Sequence, residues 1–245
     1  VRHLKYPVVL FDAGDTLLGP RQSFGTVYAR VLATLGVSLP AADLDRGLRA
    51  GWAEFNRTHP PGVDRYGTYP GGEAEYWLHF VARTLASTPG APADPDLPGR
   101  ALIPLRDAFR DPHAWQVFPD VVPALDALRS MDVRMGVVSN WDSRLPGLLE
   151  ELGLARYFDA VVVSHLEGVE KPSPEIFLRA VERLRGTPET TLHVGDVPEL
   201  DEAGARDAGL ASKLVDRFGR LEGLATIADL SALPAMVSRP NSSLP

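Results

Sequence analysis

Residues 8–18 read VVLFDAGDTLL, an apolar run that ends on Asp12 and is followed three residues later by a second acid, Asp15. A run of aliphatic and aromatic residues with no polar position on either face is a strand covered on both sides by helices. An acid at its carboxyl end stands where a parallel sheet places its ligand chemistry. Similar short apolar runs recur at residues 133–138, 160–163, 192–194 and 214–215. The gaps between them carry helical patterns. Residues 146–152 stop at Gly153, a glycine cap. Ser173-Pro174-Glu175 opens a helix with an apolar face of Ile176, Phe177, Ala180, Val181 and Leu184, and Gly186 closes it; residues 199–208 form a further helix ended by Gly209. Strand–helix alternation of this kind predicts an α/β fold, a doubly wound parallel sheet with right-handed crossovers.

Between the first strand and Val133 no comparable strand is legible. Helical patterns over residues 23–35, 41–55, 73–85 and 100–110 are separated by a Pro/Gly-rich loop at 59–72 and by a proline-rich stretch, 88–99, read as loop. The expected organisation is therefore an α/β core from residues 1–18 and 116–235, an inserted all-helical cap domain at 19–115, and a frayed tail at 236–245.

Composition excludes several chemistries. The chain has no cysteine, which removes disulfides, thiolate metal sites and a cysteine nucleophile. A net charge of -7 without basic runs argues against nucleic acid or an anionic membrane as partner. No stretch approaches the roughly 18–20 apolar residues of a membrane span, and the apolar run before Asp12 is too short for a signal-peptide core. A cytoplasmic protein, monomer or homodimer, is the expectation.

The residues just beyond the strand ends form an ordered set. FDAGDTLL follows the first strand, VVSN ends the second, EKPSPEIF stands in the loop before a helix, and HVGDVPELDEAGARDAG follows a later strand. A carboxylate, a hydroxyl, a lysine and an acidic pair thus converge on one sheet edge. This set resembles the four motifs of the haloacid dehalogenase-like (HAD) hydrolase superfamily, and the helical block sits where one class of its members inserts a cap. The resemblance implies a Rossmann-like, HAD-like core and a Mg²⁺-dependent phosphatase acting on a small phosphorylated metabolite. It makes Asp12 the nucleophile that forms an aspartyl-phosphate. It gives the metal Asp12, the Gly14 carbonyl and Asp196, with Asp201 as ligand or supporting carboxylate. Ser139, Asn140 and Lys171 would bind the phosphate, Ser139 and Lys171 as members of the catalytic set. Hard oxygen donors suit Mg²⁺, and carboxylates this close to a phosphate need a cation.

Lysine usage supports Lys171. Of 25 basic residues only Lys5, Lys171 and Lys213 are lysine, so surface charge here is carried by arginine. The absence of lysine between Tyr6 and Glu170 also removes the Schiff-base route of phosphonate-cleaving relatives. One position departs from the phosphatase pattern. Gly14 stands where the family's general acid–base Asp belongs, and Asp15 is one residue late. General acid catalysis contributes about 10²–10⁴ in rate, so a weak or specialised phosphatase is expected. A metal-free 2-haloacid dehalogenase and a scarcely active phosphate-binding member are the alternatives. In the cap, Tyr66 and Tyr69 in the Gly/Pro loop and Arg21 near the hinge are candidate substrate contacts, while most other cap aromatics are expected to build its core. None of the six histidines reads as a catalytic base; His193, inside a strand, is expected to be a hydrogen-bonded core residue.

Overall fold

The computed structural model describes residues 4–238. In chain order its strands are β1 (Val8–Phe11), β2 (Leu18–Pro20), β3 (Trp115–Val117), β4 (Arg134–Ser139), β5 (Ala160–Val163), β6 (Thr191–Gly195), β7 (Ala211–Val215) and β8 (Thr226–Ile227). Its helices are α1 (Phe24–Thr34), α2 (Ala41–Thr58), α3 (Gly72–Ala86), α4 (Leu97–Arg110), α5 (Val121–Arg129), α6 (Leu145–Glu151), α7 (Ser164–Glu167), α8 (Pro174–Arg183), α9 (Ala203–Asp207) and α10 (Leu233–Val237). The chain divides into two compact units, one from the described parts of Val1–Gly19 and Val117–Pro245, the other from Pro20–Gln116.

The first unit is an α/β sandwich around a six-stranded sheet ordered β5-β4-β1-β6-β7-β8, with every pair parallel. All four residues of β1 are fully buried, which is why that run has no polar position. Val8 and Leu10 pack with Val138, Val162 and the α8 face Ile176, Phe177, Ala180 and Val181. The register sets Phe11 opposite both Val137 on β4 and Val194 on β6. Asp12 and Gly195 therefore leave the sheet at one level, with Ser139 one residue further along β4.

Four details differ from the sequence reading. Helix α4 starts at Leu97, inside the stretch read as loop, because Pro98 sits in its first turn, where proline loses no hydrogen bond. Residues Pro198–Glu202 form a wide π-type turn before α9 instead of one regular helix. Helix α5 and the short strands β2, β3 and β8 were not anticipated. The expected tail begins too early: α10 runs to Val237, Lys5 N–H donates to the Val237 carbonyl at 2.7 Å, and Ser238 bridges Leu4. Residues 239–245 of that tail lie outside the described residues.

The second unit is all-helical apart from chain segments at its ends. Helices α1–α4 enclose a core of Tyr28, Leu32, Leu44, Leu48, Phe80, Val81, Leu97 and Ala101. Ser23 caps α1, its Oγ accepting from Thr26 N–H at 3.2 Å. The aromatics interlock at this core, with Trp52 4.6 Å from Phe80 and Tyr66 4.9 Å from Tyr76 between ring centres. Among the described residues no helix is long and apolar enough to cross a membrane.

Candidate active site

Asp12 leaves β1 with its N–H still donating to the Val194 carbonyl at 2.8 Å, so its backbone is held by the sheet. Its carboxylate is buried and meets Lys171, whose Nζ lies 2.7 Å from Asp12 Oδ1 and 2.6 Å from Asp201 Oδ1. Only 2% of Lys171 is exposed. Ser139, at the end of β4, is buried, and its hydroxyl favours the ionised form of Asp12. Asp12, Asp196 and Asp201 each offer a carboxylate oxygen, all within 4.8 Å of one another.

Local structure explains how each group is held. The Lys171 loop is tied to the end of β4 by Asn140, whose Nδ2 donates to the Lys171 carbonyl at 2.9 Å while its Oδ1 accepts from Lys171 N–H at 2.7 Å. Both ends of that amide are thus committed to the backbone. The Asn140 side chain thereby positions Lys171. The Lys171–Pro172 peptide is cis. Asp201 sits on the wide turn after β6 and is fixed from three sides. Its Oδ2 accepts from Val197 N–H at 2.9 Å, and its Oδ1 accepts from Lys171 and from His193 Nε2 at 2.9 Å. Gly195 makes room for this, since a Cβ there would lie 2.1 Å from Asp201 Cγ.

The electrostatics follow from three acids around one ammonium in a buried site. Burial raises the Asp12 carboxyl, and the Asp201 charge adds to the rise against the pull of Lys171. Asp196 is pushed up to about 8, first by burial and then by the charges of Asp12 and Asp201. Burial alone would lower the Lys171 ammonium, yet the two carboxylates it touches hold it well above the ordinary lysine range. Burial likewise opposes ionisation of Asp201, but Lys171 and His193 outweigh it and hold that carboxyl far below the usual range. The cluster therefore keeps Lys171 charged and Asp201 ionised, while Asp12 and Asp196 are both biased toward their neutral forms.

The turn after Asp12 is latched from below. Arg217 Nη2 and Nε donate to the Thr16 carbonyl at 2.7 and 3.1 Å, and the same guanidinium pairs with both oxygens of Asp120 at 2.8 and 2.9 Å. Asp15 is half-buried with a left-handed backbone (φ 51°), its Oδ2 4.0 Å from Arg220 Nη1.

The remaining candidates lie in the helical unit. Tyr66 is buried against Tyr76 and Trp77, so its ring is a packing element of the helical unit. Tyr69 is half-buried, stacked on Phe55, with its hydroxyl 2.9 Å from His79 Nδ1. Arg21 is exposed and donates to the Trp115 carbonyl at 3.2 Å. Sequence reasoning placed His193 in the core, where it is, but without its tie to Asp201. It missed Asp120 and Arg217 altogether, because Arg217 meets Thr16 across 201 positions of chain.

Comparison with known proteins follows the same line. A family model described as haloacid dehalogenase-like hydrolase matches residues 6–209. The chain is 32% identical to haloacid dehalogenase-like hydrolase domain-containing protein 3 of Danio rerio, over 87% of each chain. It is 30% identical to a glyceraldehyde 3-phosphate phosphatase of Methanopyrus kandleri, covering 85% of this chain and 83% of that protein. Among solved structures, the magnesium-bound HAD-hydrolase YfnB of Bacillus subtilis shares the fold, with a TM-score of 0.72 at 22% identity over 95% of this chain and 98% of the other.

Proposed function

The chain belongs to the haloacid dehalogenase-like hydrolases, and we propose that within them it is a magnesium-dependent phosphatase of a small phosphorylated metabolite, acting through Asp12. The observation that carries this reading is the buried cluster in which Lys171 bridges Asp12 and Asp201 while Asp196 stands within 4.8 Å of both. Similarity to a phosphatase at 30% identity supports it.

The donor set fits a hard divalent cation. It consists of oxygens only, and burial together with the charges of Asp12 and Asp201 pushes the Asp196 carboxyl up to about 8, a cost that a bound cation would relieve. Asp12, Asp196 and the Gly14 carbonyl would hold Mg²⁺, which when bound neutralises the carboxylates and the phosphoryl oxygens. Asp201 already accepts three hydrogen bonds, so its part in this reading is to position Lys171. A dehalogenase needs no such surplus of carboxylates, which favours the phosphatase over it.

In the reaction the Asp12 carboxylate attacks phosphorus and the bond from phosphorus to the leaving oxygen breaks. Lys171, already bonded to Asp12, and Ser139 donate to the phosphoryl oxygens as charge develops. Water then attacks the phosphorus of the aspartyl-phosphate and releases Asp12. Asp15 is turned toward Arg220, so it does not replace the missing acid, and Asp15→Asn should leave turnover within a few-fold of the parent. The deciding assay is a phosphoester panel with Mg²⁺ or EDTA, with chloroacetate for halide release and Asp12→Asn as control. Mg²⁺-dependent phosphate release that vanishes in Asp12→Asn is expected. Halide release in EDTA without phosphate release would overturn the reading.

A further inference from the structure

Gly14 is not dictated by its backbone. It is absent from the glycines with positive φ, so an L-residue would adopt its conformation without strain. The constraint on it is what its side chain would face. A Cβ at position 14 would point at the indole of Trp141 and lie 3.4 Å from Cζ3, in ordinary van der Waals contact. One carbon fits there, and among the described residues the indole is the one neighbour within 4 Å that it meets.

The ring sits on anchored backbone. Trp141 N–H donates to Ser164 Oγ at 3.2 Å, and the Trp141 carbonyl accepts from the same hydroxyl at 3.2 Å. On one side Asn140 is tied to Lys171 at both ends of its amide. On the other, the fully buried Asp142 is paired with Arg144. Trp141 is also only two residues beyond Ser139, the last residue of β4.

From this geometry we infer that Trp141 is a specificity-determining residue that takes the place of an acid at position 14, and that the enzyme acts on phosphates borne by an sp² carbon: acyl, enol or aryl phosphates. This deepens the phosphatase reading and rests on it. With such substrates the nucleophilic step balances without an acid. Asp12 forms its bond to phosphorus, the phosphorus–oxygen bond breaks, and the electron pair leaves on a carboxylate, enolate or phenolate oxygen that is stable unprotonated or nearly so. The aspartyl-phosphate is itself an acyl phosphate, so its hydrolysis also expels a carboxylate, and the two protons of the attacking water go to the phosphate product and to solvent. An alkoxide leaving group lacks this route. A flat leaving group gains contact with the indole, worth about 3- to 10-fold for a stacked ring pair.

The test uses the full chain with Mg²⁺ and four probes: acetyl phosphate, p-nitrophenyl phosphate, phenyl phosphate and ethyl phosphate. Variants are Gly14→Asp, Trp141→Leu and the double Gly14→Asp/Trp141→Ala, each checked for folding by circular dichroism. In the parent, kcat/KM should fall at least 10²-fold from acetyl or p-nitrophenyl phosphate to ethyl phosphate. Trp141→Leu should lower the ratio of aryl to acetyl turnover 3- to 10-fold. The double variant, with room for the new carboxylate, should gain at least 10-fold on ethyl phosphate, and Gly14→Asp alone should gain much less. Equal rates on ethyl and p-nitrophenyl phosphate in the parent would overturn the inference. So would equal gains in the single and double Gly14→Asp variants, or an unchanged aryl-to-acetyl ratio in Trp141→Leu. Absence of phosphate release from all four probes would instead sink the phosphatase reading beneath it.

Discussion

Asp12 and Lys171 hold each other in place, yet they contribute to stability with opposite signs. Burial and the neighbouring carboxylates raise the Asp12 carboxyl, so the folded protein without a cation favours its neutral form. Asp12→Asn supplies a neutral isostere. It is expected to abolish phosphate release and, in EDTA at pH 7, to raise Tm above that of the parent. Lys171 has the reverse effect, because removing it takes the cation from Asp201, the carboxylate held ionised in this buried site, and the bond partner from Asp12. Lys171→Met is expected to lose turnover by about 10²–10³-fold and to cost about 3–5 kcal/mol of stability, the usual result of breaking a buried pair from one side. Calorimetry of the two variants in EDTA reads both signs. A fall in Tm for Asp12→Asn would show that its bond to Lys171 outweighs the repulsion among the carboxylates.

Elements bring these residues together, and some of that assembly was legible in advance. The run before Asp12 and the run at 160–163 have no polar face, and that at 192–194 interrupts its apolar residues only with His193, so strands buried on both sides are easily read. Their order then places Asp12, Ser139, Lys171 and Asp196 at one edge. What stayed hidden was pairing between side chains distant in sequence: Asn140 on the Lys171 backbone, His193 on Asp201, and Arg217 on Thr16. No local pattern encodes them, since each depends on the tertiary register. The Asp120–Arg217 latch is testable at this scale. Burial would raise the Asp120 carboxyl, but the Arg217 hydrogen bonds and the Leu230 N–H outweigh it and hold it below the ordinary value of 3.8. A carboxyl lowered in the folded state adds stability above its unfolded value, and that increment is lost as pH falls through the folded value. Arg217→Met removes the main cause. It is expected to cost about 1–3 kcal/mol at pH 7 for the lost charged hydrogen bonds, with the deficit against the parent shrinking below about pH 4. Loosening the turn that carries Gly14 should also reduce kcat more than it raises KM. Denaturant titrations at pH 7 and pH 3.5 check the first expectation, and steady-state kinetics the second.

At the scale of the molecule, two cores are built from separate stretches of chain. The sheet unit packs Val8, Leu10, Val138 and Val162 against Ile176, Phe177 and Val181, whereas the helical unit packs Tyr28, Leu44, Phe80 and Leu97 among themselves. No residue belongs to both clusters. The helical core is unusually aromatic, with Phe80 4.6 Å from Trp52 and 5.6 Å from both Phe55 and Trp77 between ring centres. Truncating Phe80 removes a side chain that is 2% exposed and leaves those three rings facing a cavity. A Phe→Ala change in such a core costs about 3–5 kcal/mol. With the cores separate, that loss belongs to opening of the helical unit alone, and local opening free energies are what amide hydrogen exchange reads. In Phe80→Ala, amides of α1–α4 that exchange through opening of that unit should therefore do so about 10²- to 4 × 10³-fold faster, since each 1.4 kcal/mol is a factor of ten. Amides of β1, β4 and β6 should keep their parent protection. Equal acceleration in both sets would mean that the two units unfold as one cooperative block, and the cap could then not be destabilised without the nucleophile's own strand.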